Sequence, residues 1–298
     1  MTSSNQDSNE NLPTRFQIWG ARGSRNTVGS SIGNHTSCYS LAVGEHLFVF
    51  DAGSGLLPLS AALTTDSRLQ AVRHIHIFVS HAHWDHWEGI KDADWMWRKG
   101  SGLSLTITAP KQAIDTMRAC CSPPSFVDLN VLAMGCLDRL SFEEIELGAK
   151  LDLPGVAVDT LLLNHYSGLG DSRCDLPTFG YRLRVHDGPT LLYLCDHEPT
   201  PDTRAMEDDA LSTADLAILD ASYGDVSEHA FGHGSMESSA MLARRFPSVH
   251  VFAGHHGPMR SDADIQEAAQ CHASDIPRFT IAVEGMAKDW DQRAASFD

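Results

Sequence analysis

The sequence is poor in basic residues: 22 lysines and arginines stand against 39 aspartates and glutamates, so the formal net charge is −17. Lysine and arginine nowhere cluster into a patch, and a surface this acidic repels polyanions at long range. The composition therefore argues against a nucleic-acid-binding groove. A small anionic substrate stays compatible with this surface if bound metal ions reverse the local field.

Several targeting and structural signals are also missing. No apolar run approaches the length of a transmembrane helix, so we expect no membrane attachment. Residues 1–13 are rich in Ser, Asn and Asp without an apolar core, which predicts a disordered tail rather than a signal peptide. The seven cysteines have neither disulfide nor zinc-finger spacing, which predicts a reducing cytoplasm. Without repeats or a convincing linker, residues 14–298 are predicted to form one domain.

Short apolar runs alternate with amphipathic stretches, and Gly and Pro lie between them. The pattern predicts sheets covered by helices, hence a layered α/β domain. The predicted helices are Leu56–Leu63, Lys111–Cys120, Met236–Arg245 and Ala263–His272.

The most informative segment is His-x-His-x-Asp-His at residues 81–86, directly after the apolar run His74–Val79. His81 and His83, two apart on an extended loop, can face one ion. Asp85 and His86, at the turn into a predicted following helix, can face a second ion. Imidazole and carboxylate suit zinc, and also manganese or iron. A surface histidine cluster is the alternative, but the position at a strand end favours metal binding.

Three later apolar runs also end in potential ligands. Leu161–Leu163 leads into Asn164-His165, Leu191–Cys195 leads into Asp196, and Val251–Gly254 leads into His255-His256. One such case is weak evidence, because a histidine at a strand end is usually just a surface residue. Three of them together with His-x-His-x-Asp-His form a strong constellation.

With these ligands in this order, the chain resembles the metallo-β-lactamase superfamily over roughly residues 16–266. Four further segments resemble motifs of its phosphodiesterase branch, which contains tRNA 3′-processing endonucleases and cyclic phosphodiesterases. They are Gly20-Ala21-Arg22-Gly23-Ser24, Gly33-Asn34-His35-Thr36-Ser37-Cys38, Asp51-Ala52-Gly53-Ser54-Gly55 and Gly232-His233-Gly234-Ser235. Asn34 and His35 depart from the branch's pattern.

The resemblance implies a four-layer αββα sandwich with two divalent metal ions, zinc first, manganese or iron as alternatives. One ion would be held by His81, His83 and His165, the other by Asp85, His86 and His255, with Asp196 bridging both. His256 is the alternative last ligand; otherwise it is expected to face the substrate.

The implied activity is hydrolysis of a small, cyclic or linear, phosphodiester by a hydroxide that two metal ions share. His233 would protonate the leaving oxygen, and Asp85 would bind metal and orient the chemistry. Two alternatives stay open: a hydrolase of a carboxylic ester, lactone or thioester, and a non-catalytic or iron-dependent relative.

Substrate contacts are less determined by the sequence. Arg22 is either a phosphate clamp or a buried structural charge. Trp84 and Trp87, with Trp95 and Trp97, form either an aromatic wall for the substrate or part of the packing of the helix predicted there. The interval from His165 to Asp196 is only 196 − 165 = 31 residues, without a Lys-rich segment, so the tRNA-binding arm of the processing enzymes does not fit and tRNA is not an expected substrate. The oligomeric state is open, with a homodimer as one option.

Overall fold

The computed structural model describes residues 14–168, 170–291 and 296–297, so the predicted tail at residues 1–13 lies outside the described residues. The strands are β1 Arg15–Gly20, β2 Cys38–Val43, β3 His46–Phe50, β4 His74–Phe78, β5 Ser104–Ala109, β6 Arg139–Glu144, β7 Lys150–Leu153, β8 Val156–Leu162, β9 Tyr166–Ser167, β10 Cys174–Asp175, β11 Phe179–Val185, β12 Thr190–Leu194, β13 Leu216–Asp220, β14 His250–Gly254, β15 Phe279–Ile281, β16 Ala287–Asp291 and β17 Ser296–Phe297. The helices are α1 Leu56–Thr65, α2 Lys111–Cys120, α3 Leu129–Ala133, α4 Arg204–Ser212, α5 Met236–Arg245 and α6 Asp262–Ala273.

Two large sheets contain nearly all of these strands. The first has the order β17-β16-β1-β2-β3-β4-β5-β6 and the second the order β15-β14-β13-β12-β11-β8-β7. Strands β3 to β6 pair in parallel, as do β12 to β15. Parallel pairs need long crossovers. In the first sheet α1 connects β3 to β4, three 3₁₀ turns connect β4 to β5, and α2 and α3 connect β5 to β6; in the second sheet α4, α5 and α6 each supply one crossover. The loops that follow the carboxyl ends of these parallel strands carry Asp51, Asp196 and His255.

Apolar side chains form three layers of core. Phe48, Phe78, Tyr181 and Phe252 belong to a cluster to which both sheets contribute. A second cluster joins the first sheet to α1 and α2, and two smaller ones join the second sheet to α4, α5 and α6. The predicted α/β architecture with four layers, helix–sheet–sheet–helix, is thus confirmed. Within the described ranges, no helix is long and apolar enough to cross a membrane.

The predicted helices over Lys111–Cys120 and Met236–Arg245 have these bounds in the structure. Helix α5 begins where the side chains of Ser235 and Ser238 form a reciprocal capping box. Helix α4 was not predicted, because its apolar face is narrow and includes the buried Glu207.

The helix predicted after the metal loop is wrong. The chain instead makes three 3₁₀ turns, Trp84–His86, Glu88–Asp92 and Asp94–Met96. A neighbouring turn takes part of its hydrogen bonding: Ala52 N donates to His86 O and Gly89 N donates to Ala52 O. These two groups are therefore not available for the regular bonds of an α-helix.

Candidate metal centre

Polar residues gather where the strands of both sheets end. Asp51 follows β3, Asp196 lies two residues after β12, and His255 follows β14. All three adopt positive φ, of 55°, 57° and 53°. Such conformations cost free energy in residues other than glycine and concentrate at functional sites. The strand ends and these strained positions aim the side chains into one cluster.

The first group of candidate ligands comprises His81, His83, His165 and Asp196, whose possible ligand atoms all lie within 4.8 Å of one another. Nε2 of His81 and Nε2 of His165 lie 3.6 and 3.5 Å from Asp196 Oδ2. His83 Nδ1 lies 3.1 Å from His165 Nε2. Burial lowers the pKa of His81 well below its usual value and that of His165 to about 4. These imidazoles are therefore neutral, the form that binds a metal ion.

The second group comprises Asp85, His86 and His255, again within 4.8 Å of one another. Nε2 of His86 and Nε2 of His255 each lie 3.4 Å from Asp85 Oδ2. The same two nitrogens lie 3.2 Å from Oδ2 and 3.0 Å from Oδ1 of Asp196, respectively. Asp196 thus faces both groups: its Oδ2 lies near His81, His165 and His86, and its Oδ1 lies near His255, as expected of the predicted bridging residue.

The donor atoms in this cluster fit divalent cations. Nε2 of His81, of His86 and of His255 and Oδ1 of Asp196 are buried without a hydrogen-bond partner among the described residues. Buried polar atoms of this kind are rare and costly unless a missing group satisfies them. In the described part of the chain, Asp85 and Asp196 form ion pairs with histidines and with no lysine or arginine. Two cations would satisfy these atoms and balance the buried carboxylates.

A buried carboxylate behind the ligands fixes their orientation. Asp51 Oδ2 lies 2.6 Å from His86 Nδ1 and accepts hydrogen bonds from Ser80 Oγ at 2.9 Å and Tyr193 Oη at 2.5 Å. Because this contact fixes the proton on His86 Nδ1, the ring presents Nε2 to the cluster.

Serine hydroxyl groups position three further ligands in the same way. Ser80 Oγ lies 2.9 Å from His81 Nδ1, and Ser222 Oγ lies 2.9 Å from His255 Nδ1. Ser167 Oγ lies 2.6 Å from His83 Nε2. The nitrogens that face away from the cluster are thereby satisfied, and the others are free to bind metal.

The Arg-Gly-Ser segment supports the cluster from the other side. Ser24 N donates to Asp85 Oδ2 at 2.6 Å. A Cβ atom at Gly23 would lie 2.5 Å from the ring of His255, so this position needs glycine for the close approach. Arg22 is buried and donates to Gly33 O, to Arg260 O and to the side chain of Asp262. The structure therefore favours the structural role of Arg22 over the phosphate clamp.

His233 lies beside the cluster and is held by a carboxylate. Its Nδ1 lies 2.9 Å from Asp220 Oδ2 and 3.9 Å from Asp196 Oδ2. Burial lowers the pKa of His233, but the negative charges of Asp220 and Asp196 outweigh burial and raise the pKa to about 9. Bound cations would lower it again, because like charges repel. His233 is thus placed to hold a proton near the metal ligands.

A cavity of about 690 Å³ opens beside these residues. His83, His165 and His233 line it together with the aromatic residues Tyr166, Tyr223 and Phe231. Arg260 and Glu228 also face this cavity, with Nη1 and Oε2 3.1 Å apart. The space has room for a small molecule with an apolar part and an anionic part.

Three predicted substrate contacts are not in this cavity. Trp87 is buried in the core and donates from Nε1 to Ala82 O, while Trp84 is exposed but is not among the residues of the cavity wall. His256 is fully buried, and its Nε2 lies 3.1 Å from Ala282 O. The predicted aromatic wall and the predicted substrate contact of His256 are therefore wrong for this cavity, because Trp87 and His256 are buried in the protein and Trp84 lies outside the cavity wall. The two histidines are thus told apart: His255 joins the ligand cluster and His256 does not.

The sequence did not reveal Asp220, Tyr223, Glu228 or Arg260 as site residues. Asp220 ends the apolar strand β13, the same signal that revealed Asp196, and this signal could have found it. Tyr223, Glu228 and Arg260 lie in loops whose approach to the cavity depends on tertiary packing.

Comparisons with known proteins identify the family and the fold. Residues 46–256 match the family model described as the beta-lactamase superfamily domain. A search of curated proteins returned no significant match. Three solved structures share the fold: the metallo-β-lactamase fold protein YhfI from Bacillus subtilis (16% identity, 93% of this chain and 99% of that chain covered, TM-score 0.65), a diphosphatase from the PhnP family (15%, 92% and 96%, 0.63) and yeast PDE1 (13%, 92% and 99%, 0.67).

Proposed function

The chain belongs to the beta-lactamase superfamily, and on that premise we propose that it is a dinuclear metal-dependent phosphodiesterase acting on a small phosphodiester. The observation that carries the proposal is the position of His233. Its ring, bound to Asp220 at 2.9 Å, lines the same cavity as the metal-facing ligands His83 and His165. A proton donor beside a metal pair is what the expulsion of an alkoxide from phosphorus requires.

Seven residues would hold the two ions, in the arrangement that the resemblance implied. They are His81, His83, His165, Asp85, His86, His255 and the bridging Asp196. When bound, a divalent ion pair supplies hydroxide at neutral pH and positive charge close to the phosphoryl oxygens. We propose zinc, because imidazole and carboxylate ligands suit it; manganese and iron accept the same ligands.

The residues of the chain perform the remaining steps. His233 donates its proton to the leaving oxygen as the phosphorus–oxygen bond breaks. Asp220 keeps the ring in place and stabilises its protonated form through the contact to Nδ1. Ser24 N fixes the Asp85 carboxylate, so that this ligand keeps one orientation. Tyr166, Tyr223 and Phe231 exclude water from the side of the cavity away from the ligands.

The names of two structural neighbours agree with a phosphate-containing substrate, namely a diphosphatase from the PhnP family and yeast PDE1. Their identities of 15% and 13% indicate a shared fold alone, so the proposal depends on the site. The predicted exclusion of tRNA is supported by the interval between His165 and Asp196, which contains only short strands and one 3₁₀ turn in the described residues. The cytoplasmic location and the option of a homodimer remain predictions.

A substrate panel tests the proposal. Metal-loaded protein is given bis-p-nitrophenyl phosphate, p-nitrophenyl phosphate, a cyclic nucleotide, a lactone and a thioester. We expect the phosphodiester to be hydrolysed far faster than the monoester, because a diester carries one negative charge and leaves one neutral arm. Turnover of only the lactone or thioester would reject the phosphodiesterase and favour the carbonyl hydrolase, which the same hydroxide would serve.

A further inference from the structure

A second cluster of possible metal ligands lies outside the candidate metal centre. Asp225, Glu237 and His272 offer ligand atoms that all lie within 4.8 Å of one another. His272 Nε2 lies 2.9 Å from Asp225 Oδ1. We propose that this triad is a surface site for a zinc ion, separate from the proposed pair. The proposal goes beyond the proposed function and does not depend on it.

Three different elements bring these residues together. Asp225 precedes the 3₁₀ turn Val226–Glu228, Glu237 lies in the first turn of α5, and His272 lies in the last turn of α6. An acidic residue at a helix start and a basic residue at a helix end are each favourable on their own. That preference does not require the two side chains to meet, nor Asp225 to join them. We take the convergence of the three side chains as the indication of a bound cation.

The donor set suits zinc. Zinc binds imidazole nitrogens and carboxylate oxygens, and three protein ligands leave the fourth position to water. The imidazole also distinguishes the triad from a plain acidic patch, which would favour calcium or magnesium. His272 and Glu237 are half-buried and Asp225 is exposed, so an ion has access from solvent. The net charge of −17 favours cation binding in general.

An ion at this triad would fix one wall of the cavity. Glu237 Oε2 accepts a hydrogen bond from Val226 N at 2.9 Å, and Glu228 N donates to Asp225 O at 3.1 Å. Glu228 Oε2 in turn accepts from Arg260 Nη1 at 3.1 Å. The triad therefore lies at the outer end of the segment that positions Glu228 and Arg260 at the cavity.

Metal counting tests the proposal. Protein stripped with a chelator is dialysed against excess zinc, gel-filtered and analysed for zinc per chain. His272→Ala should bind about one ion fewer than the wild type, whatever number the candidate metal centre holds. Cobalt provides a second readout, since its visible absorption should lose the contribution of one site. Equal zinc counts for both proteins would overturn the proposal and leave His272 and Asp225 as a surface ion pair.

Two further variants keep the result interpretable. Glu237→Gln retains a carbonyl oxygen that can accept from Val226 N but removes the charge. It should also bind about one ion fewer than the wild type, and it replaces His272→Ala as the test if that variant does not fold. His186→Ala is the matched control, because His186, like His272, forms an ion pair with an aspartate, its Nε2 lying 3.7 Å from Asp152 Oδ1, but is not part of a triad in the described residues. It should bind as many ions as the wild type; a loss equal to that of His272→Ala would mean that zinc binds surface histidines at random, and would reject the triad.

Discussion

His233 illustrates what a single side chain contributes to the proposed reaction. It lies close to the candidate metal ligands, and the negative charge of Asp220 stabilises its protonated form. His233→Ala should keep both metal ions yet lower kcat on diesters with poor leaving groups by about 10²–10⁴, the range for a lost general acid. The loss should shrink for p-nitrophenyl esters, because p-nitrophenolate leaves without a proton. Steady-state kinetics on both esters check this, and an equal loss would remove His233 from the acid role.

The carboxylate behind His233 sets its proton affinity. The negative charge of Asp220 contributes to the raised pKa of His233, so Asp220→Asn should lower that pKa. A proton donor works only below its pKa, and the fall of activity at high pH should therefore begin at lower pH in the variant. Bound cations lower the pKa in both proteins and do not change this sign. The pH profile of kcat with a poor leaving group measures the shift; a fall that stays in place or moves to higher pH would contradict the assignment.

The sequence predicts some site residues and not others, because only some of them are close to one another along the chain. His81, His83, Asp85 and His86 are close in sequence, and a strand end places them together, so their pattern is visible without a structure. Glu228 and Arg260 meet only because their loops pack together, and no spacing encodes that. For Arg22 the sequence leaves two roles open, a phosphate clamp and a buried structural charge, and its buried contacts to Gly33 and Asp262 favour the structural one.

At the scale of elements, the strands and the capped helices follow from local pattern. Met236–Arg245 is predictable because apolar residues recur along it and Ser235 marks its start. The 3₁₀ turns after His83 are not predictable, since they depend on hydrogen bonds to Ala52 that bring distant segments together. The layered order of the two sheets could be predicted as an α/β class, and the resemblance supplied the four layers.

The turn after β3 packs closely against the loop that contains Asp85. A Cβ atom at Gly53 would lie 2.2 Å from Asp85 O and 2.3 Å from Thr36 Oγ1. Gly53→Ala should therefore displace the Asp85 segment, lower the free energy of unfolding by about 1–3 kcal/mol as overpacking does, and reduce metal content. Thermal unfolding and metal analysis test this.

Gly100→Ala serves as the control for that variant, because nothing lies within 4 Å of a Cβ atom there. Its φ of +65° leaves only the backbone penalty of about 1 kcal/mol. It should keep the full metal content. Full metal binding by Gly53→Ala would show that the turn does not hold the loop.

At the scale of the whole molecule, the strand ends of both sheets meet at one edge, where the candidate ligands lie. Asp51 and His81 come from the first sheet, whereas His165, Asp196 and His255 come from the second. Neither half has a complete set of ligands, so folding of the entire sandwich is needed to create the centre. The acidic surface is consistent with this design, because the cations at that edge would be the main attraction for an anionic substrate.

The most direct test of the account is the metal content and diesterase activity of Asp196→Ala, measured in a His272→Ala background so that the surface triad does not contribute. Asp196 faces both candidate ligand groups, with Oδ2 3.6 Å from His81 Nε2 in the first and Oδ1 3.0 Å from His255 Nε2 in the second. The parent should hold about two ions per chain, and the variant should lose the pair together with the hydrolysis of bis-p-nitrophenyl phosphate. Retention of both ions and of full activity by Asp196→Ala would contradict the dinuclear centre.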